Sequence, residues 1–121
     1  MTLKVTGFTA ASASYKIVKD ADSDENAETD VTGAAGKIYS IDISNGAGTH
    51  TSYTKLKLTS GTVTPGTTEP DMMLVAPPSA AKQYVFPDGL DFDQLSFWTT
   101  RNPATSDTTA PNTTIVTILT T

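Results

Sequence analysis

Apolar and polar residues alternate in short runs along this chain, and nearly every run is closed by glycine, proline or a cluster of threonines. Leu3-Lys4-Val5-Thr6-Gly7-Phe8 alternates with period two, and Ser14-Tyr15-Lys16-Ile17-Val18-Lys19 is a second short strand, the two separated by the small residues Thr9 to Ala13. The stretch Asp20 to Asp30 follows, too acidic and self-repelling for a core, and is expected as an exposed loop. Lys37 to Ile43 alternates so that Tyr39, Ile41 and Ile43 share a face opposite Ser40 and Asp42. Asn45-Gly46-Ala47-Gly48 breaks it, and Tyr53 to Leu58 resumes with Leu56 and Leu58 inward and Lys55 and Lys57 on a wet face.

Beyond a connection rich in Thr, Gly and Pro (Thr59 to Pro70), Met72 to Ala76 is a short apolar strand stopped by Pro77-Pro78. Lys82 to Phe86 is another, ended by a tight turn at Pro87-Asp88-Gly89. Leu90 and Phe92 keep one parity and Leu95 and Phe97 the other, so a bulge or turn near Asp93-Gln94 is required, which places Trp98 outward or at a partner surface. The final run, Asn112 to Thr120, is apolar on both faces and predicts an interior strand. Seven to eight short strands and no helical period predict an all-β fold, an antiparallel β-sandwich or jelly-roll-like barrel. Residues 1–35 are expected as a loosely ordered N-terminal arm or peripheral strands with the acidic loop, and residues 36–121 as the sandwich domain.

One phrase occurs twice: Thr67-Thr68-Glu69-Pro70-Asp71 leads into Met72-Met73-Leu74-Val75, and Thr108-Thr109-Ala110-Pro111-Asn112 leads into Thr113-Thr114-Ile115-Val116. Proline fixes its own φ and Asp or Asn caps through its side chain, so both copies read as devices that launch a strand.

Composition narrows the function classes. Hydrophobic residues are 37% of 121, a lean supply that predicts a thin core and burial of further surface in an oligomer or larger assembly. The net charge is −5 and the eight cationic residues are scattered, which argues against a nucleic-acid partner. No run is long and apolar enough for a membrane span or a secretory leader, so the reading is of a chain with no membrane partner. There is no cysteine, hence no disulfide framework and no thiolate chemistry.

Candidate chemistry is sparse. His50, the single histidine, lies in a loop with neither a nucleophile elbow nor a glycine-rich oxyanion loop around it, and reads as a surface residue. Asp20-x-Asp22-x-Asp24 opens like a calcium loop, but Glu25 stands where the turn needs glycine and Val31 where the closing Glu belongs, so the segment reads as solvated. Asp91, Asp93 and Glu69 read as wet-face carboxylates rather than a glycosidase pair. The expectation is a protein without catalytic residues, cofactor or metal.

Lys37 to Asn45, Tyr53 to Leu58, Pro65 to Asp71, Tyr84 to Leu90 and Thr108 to Pro111, in that order, resemble small structural proteins of tailed bacteriophages, including phages of cyanobacteria and marine bacteria. The likeness covers about two-thirds of the chain and does not extend clearly into the first 35 residues. It implies a non-enzymatic virion component, most like a capsid decoration or cement protein folded in the host bacterial cytoplasm. It further implies a homo-oligomer, a trimer about local three-fold axes, with the major capsid protein or another virion protein as partner. Tyr53 and Trp98, with Leu3, Val5 and Phe8 of the arm, are the candidate interface residues. The alternatives are a neck, baseplate or tail-fibre module, or a carbohydrate-binding β-sandwich using exposed aromatics.

Overall fold

A computed structural model describes residues 3–10, 13–46 and 48–121. Its eight strands are β1 (Leu3–Ala10), β2 (Ala13–Ser23), β3 (Gly36–Ser44), β4 (Ser52–Lys57), β5 (Met72–Ala76), β6 (Ala81–Phe92), β7 (Ser96–Thr100) and β8 (Thr114–Thr120). They form two antiparallel sheets, a five-stranded one in the order β1-β2-β8-β3-β6 and a three-stranded one in the order β5-β4-β7. The chain is the all-β sandwich its alternation predicts. β8, apolar on both faces, lies between β2 and β3 at the centre of the larger sheet. Residues 3–23 are a hairpin on that sheet, and Val18 of β2 belongs to the core.

Side chains of alternating parity meet between the layers. Val18, Ile118 and Ile41 are directly opposed across β2, β8 and β3, and Val116 lies opposite Ile43. Leu56 and Phe97 oppose each other across β4 and β7, completing the apolar half of the core with Ile38, Phe92 and Leu95. The chain turns at Asp93-Gln94, where the parity conflict demanded it.

The other end of the sandwich is filled by hydroxyls. Ser23 Oγ lies 2.8 Å from Thr99 Oγ1, which lies 3.0 Å from Thr54 Oγ1, and Ser52 Oγ lies 2.9 Å from Thr114 Oγ1. Two of these three bonds tie one sheet to the other, and all five residues are buried. Burial of a hydroxyl costs free energy unless its bond is remade inside. Paired threonines and serines thus extend a core that 37% hydrophobic residues could not fill alone.

Asn45, fully buried, holds the same end together. Its amide nitrogen donates to His50 O (2.7 Å), Ala76 O (3.2 Å) and Pro77 O (3.2 Å), joining the end of β3 to the entry of β4 and the exit of β5. Gly48 is required beside it, because a Cβ there would overlap Asn45 Oδ1.

Both copies of the repeated phrase make the same contact, at opposite ends of β4. Leu58 N–H (2.7 Å), Thr59 N–H (3.3 Å) and the Thr59 hydroxyl (3.2 Å) donate to Asp71 Oδ2, just past the end of β4. In the amide orientation that satisfies both of its polar ends, Asn112 Oδ1 accepts from Thr49 N–H (3.2 Å) and His50 N–H (3.1 Å), just before β4 begins. Burial alone raises the Asp71 carboxyl, but the Leu58 N–H, the Thr59 hydroxyl and the Lys57 ammonium outweigh it and hold the group below the ordinary range. That contribution is present above the pH at which a free aspartate titrates and is lost as pH falls through the depressed value.

Three local readings are corrected. Tyr39 does not share a face with Ile41 and Ile43: the register of β3 shifts between Ile38 and Ser40, so Ile38 takes the inward place, and the Tyr39 ring meets Tyr15 edge-on at 5.8 Å. Pro87-Asp88-Gly89 does not end its strand, since Ala81 to Val85 pair with Ser44 to Ser40 and Leu90 to Phe92 pair onward with Ile38 to Gly36. The segment is a long bulge, with Gly89 at φ 82° absorbing the bend, and β6 continues in the same direction. The acidic stretch is not a detached loop: Asp20 and Ser23 are buried in β2, and residues 24–31 run along β7.

Replacing Asp71 or Asn112 with alanine is expected to cost about 1–2 kcal/mol in chemical denaturation, the range of a lost capping acceptor. Asp71→Asn and Asn112→Asp keep the accepting oxygen and should retain most of the stability. Gly48→Ala and Asn45→Ala should each cost about 2–3 kcal/mol, and the double variant little more than either alone, because both remove one buried amide.

Candidate functional site

The structure gives its sheet edges unequal treatment, and that inequality is its most pronounced surface feature. β7 is covered by the acidic segment, whose main chain bonds to it through one isolated bridge and flanking hydrogen bonds. Glu28 and Phe97 exchange two N–H···O bonds of 2.9 Å, Val31 N–H donates to Leu95 O (2.9 Å), and Thr99 N–H donates to Asp24 O (2.8 Å). Backbone pairing needs no apolar side chains, so even this polar sequence can seal an edge. On β5 the rim is met at Val75 by Tyr84 of the facing sheet, whose hydroxyl donates to Val75 O (2.6 Å) and accepts from Val75 N–H (3.2 Å). Unpaired edges template further strands, and proteins block them by such means.

Among the described residues no further strand lies on either edge of the larger sheet. β6 carries the bulge and Pro87, which divide its rim into two short stretches. β1 pairs with β2 in unbroken register from Leu3 to Ala10, without proline, and its other rim faces away from the sheet. Five strands are opposed by only three, so the hairpin overhangs: Val5 is 41% exposed although it points to the core side opposite Val18. Across the outer face Ile17, Leu119, Ser40 and Val85 lie on one transverse row, with Ile17 38% and Val85 58% exposed.

The candidate interface residues separate on inspection. Leu3 is half-buried against the core and Val5 is exposed, while the Phe8 side chain lies outside the described residues. Tyr53 is half-buried on β4. Trp98 is not outward in any accessible sense: it is 0% exposed and directly opposite Lys55, also 0% exposed. Both point away from the core, as their parity requires, but the loop that follows β7 folds back over them, with the Lys55 ammonium donating to Ala104 O at 2.7 Å. That loop is fastened at Asp107, which accepts from Asn102 N–H (3.0 Å) and the Thr109 hydroxyl (2.7 Å). Burial pushes the Lys55 amine below its ordinary range, partly offset by the Asp107 carboxylate. The expected wet face of β4 is therefore dry at its centre, an outcome set by a loop roughly fifty residues away in sequence.

His50 is exposed, and the structure uses its main chain, which is held by Asn112 and Asn45. Asp91 pairs with Lys37 at 2.7 Å. Among the described residues no group of three or more His, Asp and Glu side chains is placed to hold a metal ion; Asp20 is buried while Asp22 is exposed. Two open clefts exist, of about 200 Å³ beside Asp42, Lys82, Gln83 and Thr117, and about 470 Å³ beside Thr29, Gly61, Thr62 and Gln94. The residues that organise the ends and edges, Asn45 and Tyr84, escaped sequence reasoning. The small residues Gly46, Ala47 and Gly48 after Asn45 were the one available signal that a side chain folds back there.

Among the described residues no helix is long and apolar enough to cross a membrane. No protein-family model, curated protein or solved structure matches the chain.

Burial and the neighbouring carboxylates of Asp20 and Asp24 raise the pKa of Glu28, in the middle of the strap on β7. A raised carboxyl favours folding fully below the range of a free glutamate, and the contribution is lost as pH rises through the folded value. Glu28→Gln, which fixes the uncharged state, should therefore unfold at a higher temperature than the parent at pH 7, by about 0.5 kcal/mol or less given solvent screening. The difference should close as pH approaches 4, a comparison that thermal melts at several pH values provide.

Proposed function

We propose that this chain is a non-enzymatic structural component of a tailed-phage virion, a capsid decoration or cement protein that oligomerises about a local three-fold axis and bridges capsomers. The observation that carries the reading is the contrast between the sheets: the smaller one has a strap along β7 and Tyr84 on β5, whereas among the described residues nothing further pairs with β1, or with β6 on either side of its Pro87 bulge. A monomer gains nothing from an open, unbroken eight-residue edge with an exposed valine beside it, whereas an assembling subunit needs one. The resemblance of residues 36–120 to small phage structural proteins supplies the setting. The cysteine-free composition suits folding in a reducing cytoplasm, and the hydroxyl-paired core holds the domain together without disulfides.

Size-exclusion chromatography with light scattering, followed by co-sedimentation with capsids that lack the protein, tests the reading. A trimer that sediments with capsids is the expected result. A monomer that stays in the supernatant overturns it, and antibody labelling confined to the tail of intact virions overturns the capsid position.

A further inference from the structure

We infer that β1 is a docking edge for a second copy of this chain and that its partner strand is the C-terminal half of β6, so that the five-stranded sheet continues from subunit to subunit. The inference rests on the assembly role proposed above and names the surface through which it works.

Charge is distributed unevenly between the two open edges. Three of the eight cationic residues and none of the thirteen acidic ones lie within residues 1–19. On the outer face Lys4 of β1 lies directly opposite Lys19 of β2, and both are exposed. Like charges directly opposite each other destabilise a sheet, and a carboxylate in the next place along the row relieves them. Within the chain the row runs Lys4, Lys19, Thr117, Asp42, Gln83, so its nearest carboxylate lies two strands beyond Lys19. The vacant place is on the far side of Lys4.

The far end of β6 has the matching pattern. Leu90 and Phe92 point to the core, and between them Asp91 points outward with 83% of its side chain exposed. A strand of that pattern laid beside β1 places a carboxylate next to Lys4 and an apolar residue next to Val5. Asp91 also accepts from Lys37 within its own subunit at 2.7 Å, so the joined row alternates with cations on both sides of one carboxylate.

Strand direction is compatible. Five strands in alternating order make β1 and β6 run the same way, so a rotation axis along the strands brings β6 of one copy beside β1 of the next as a parallel pair. The contact is head-to-tail, uses different surfaces on the two partners, and closes into a ring when the rotation per step divides the circle. Pairing β1 with β1 about a two-fold axis would instead bring together two strands that each carry Lys4 and no carboxylate.

Cross-linking of the cysteine-free chain tests the contact. Mixed Lys4→Cys and Asp91→Cys subunits are expected to form a disulfide on mild oxidation, and the double variant a ladder of covalent oligomers on a non-reducing gel. In light scattering, Lys4→Glu or Asp91→Lys should each weaken association by about five- to ten-fold, and mixing the two reversed subunits should restore it. Dimerisation of Lys4→Cys with itself, association unchanged by either reversal, or a monomer at every concentration each overturns the inference. Capsid binding, measured separately, distinguishes the outcomes: a monomer that binds capsids removes the edge pairing and leaves the virion role, while a charge-dependent ring that ignores capsids does the reverse.

Discussion

A single buried amide fixes how the layers meet. Asn45 ends β3 on the larger sheet, and its nitrogen reaches carbonyls at both adjoining ends of the smaller one, those of His50, Ala76 and Pro77. Carbonyls at strand ends lack ladder partners, and leaving them buried and unpaired costs more than a lean core can offset. With that corner fixed, the Ser23-Thr99-Thr54 and Ser52-Thr114 contacts fall into register behind it. The apolar half, from Ile38 to Phe97, completes the packing at the other end. Hydrogen-bond geometry is directional where apolar contact is not, so the polar end specifies the alignment of the sheets and the apolar end supplies most of the burial.

The fold class was legible because alternation and turn residues are local signals. β8 announced its central place by being apolar on both faces, and the parity conflict at Leu90, Phe92, Leu95 and Phe97 located the Asp93-Gln94 turn without reference to any other strand. What stayed illegible depends on distant partners. Pro87-Asp88-Gly89 has turn chemistry, but β3 holds both flanks of it and makes it a bulge. Trp98 and Lys55 have outward parity, yet a loop covers them both. The acidic segment offers no apolar periodicity, since the bonds that seat it on β7 are made by its backbone. The site is less legible still, because an open edge is defined by what does not pair with it. The basic bias of residues 1–19 was readable in the sequence, but the Lys4 to Lys19 juxtaposition that gives it meaning appears only with the register.

The same logic separates surfaces that hold the domain together from surfaces left available to others. Tyr84 and the strap of residues 24–31 spend polar groups on closing the smaller sheet, and the loop at Asp107 does so over its outer face. Among the described residues nothing comparable lies on β1. A small domain gains little from surface it does not cover, so unequal treatment of equivalent edges carries functional information.

The insertion of β8 between β2 and β3 bears on how the molecule comes into being. Thr114–Thr120 bridges two pieces of sheet that do not touch each other in the ladder, the β1-β2 hairpin and the β3-β6 pair. Until those residues leave the ribosome, neither piece can join the other, and the contact that unites them joins strands about ninety residues apart in sequence. Completion of the larger sheet therefore waits on β8, and no fragment short of β8 can present β1 and β6 as two rims of one sheet.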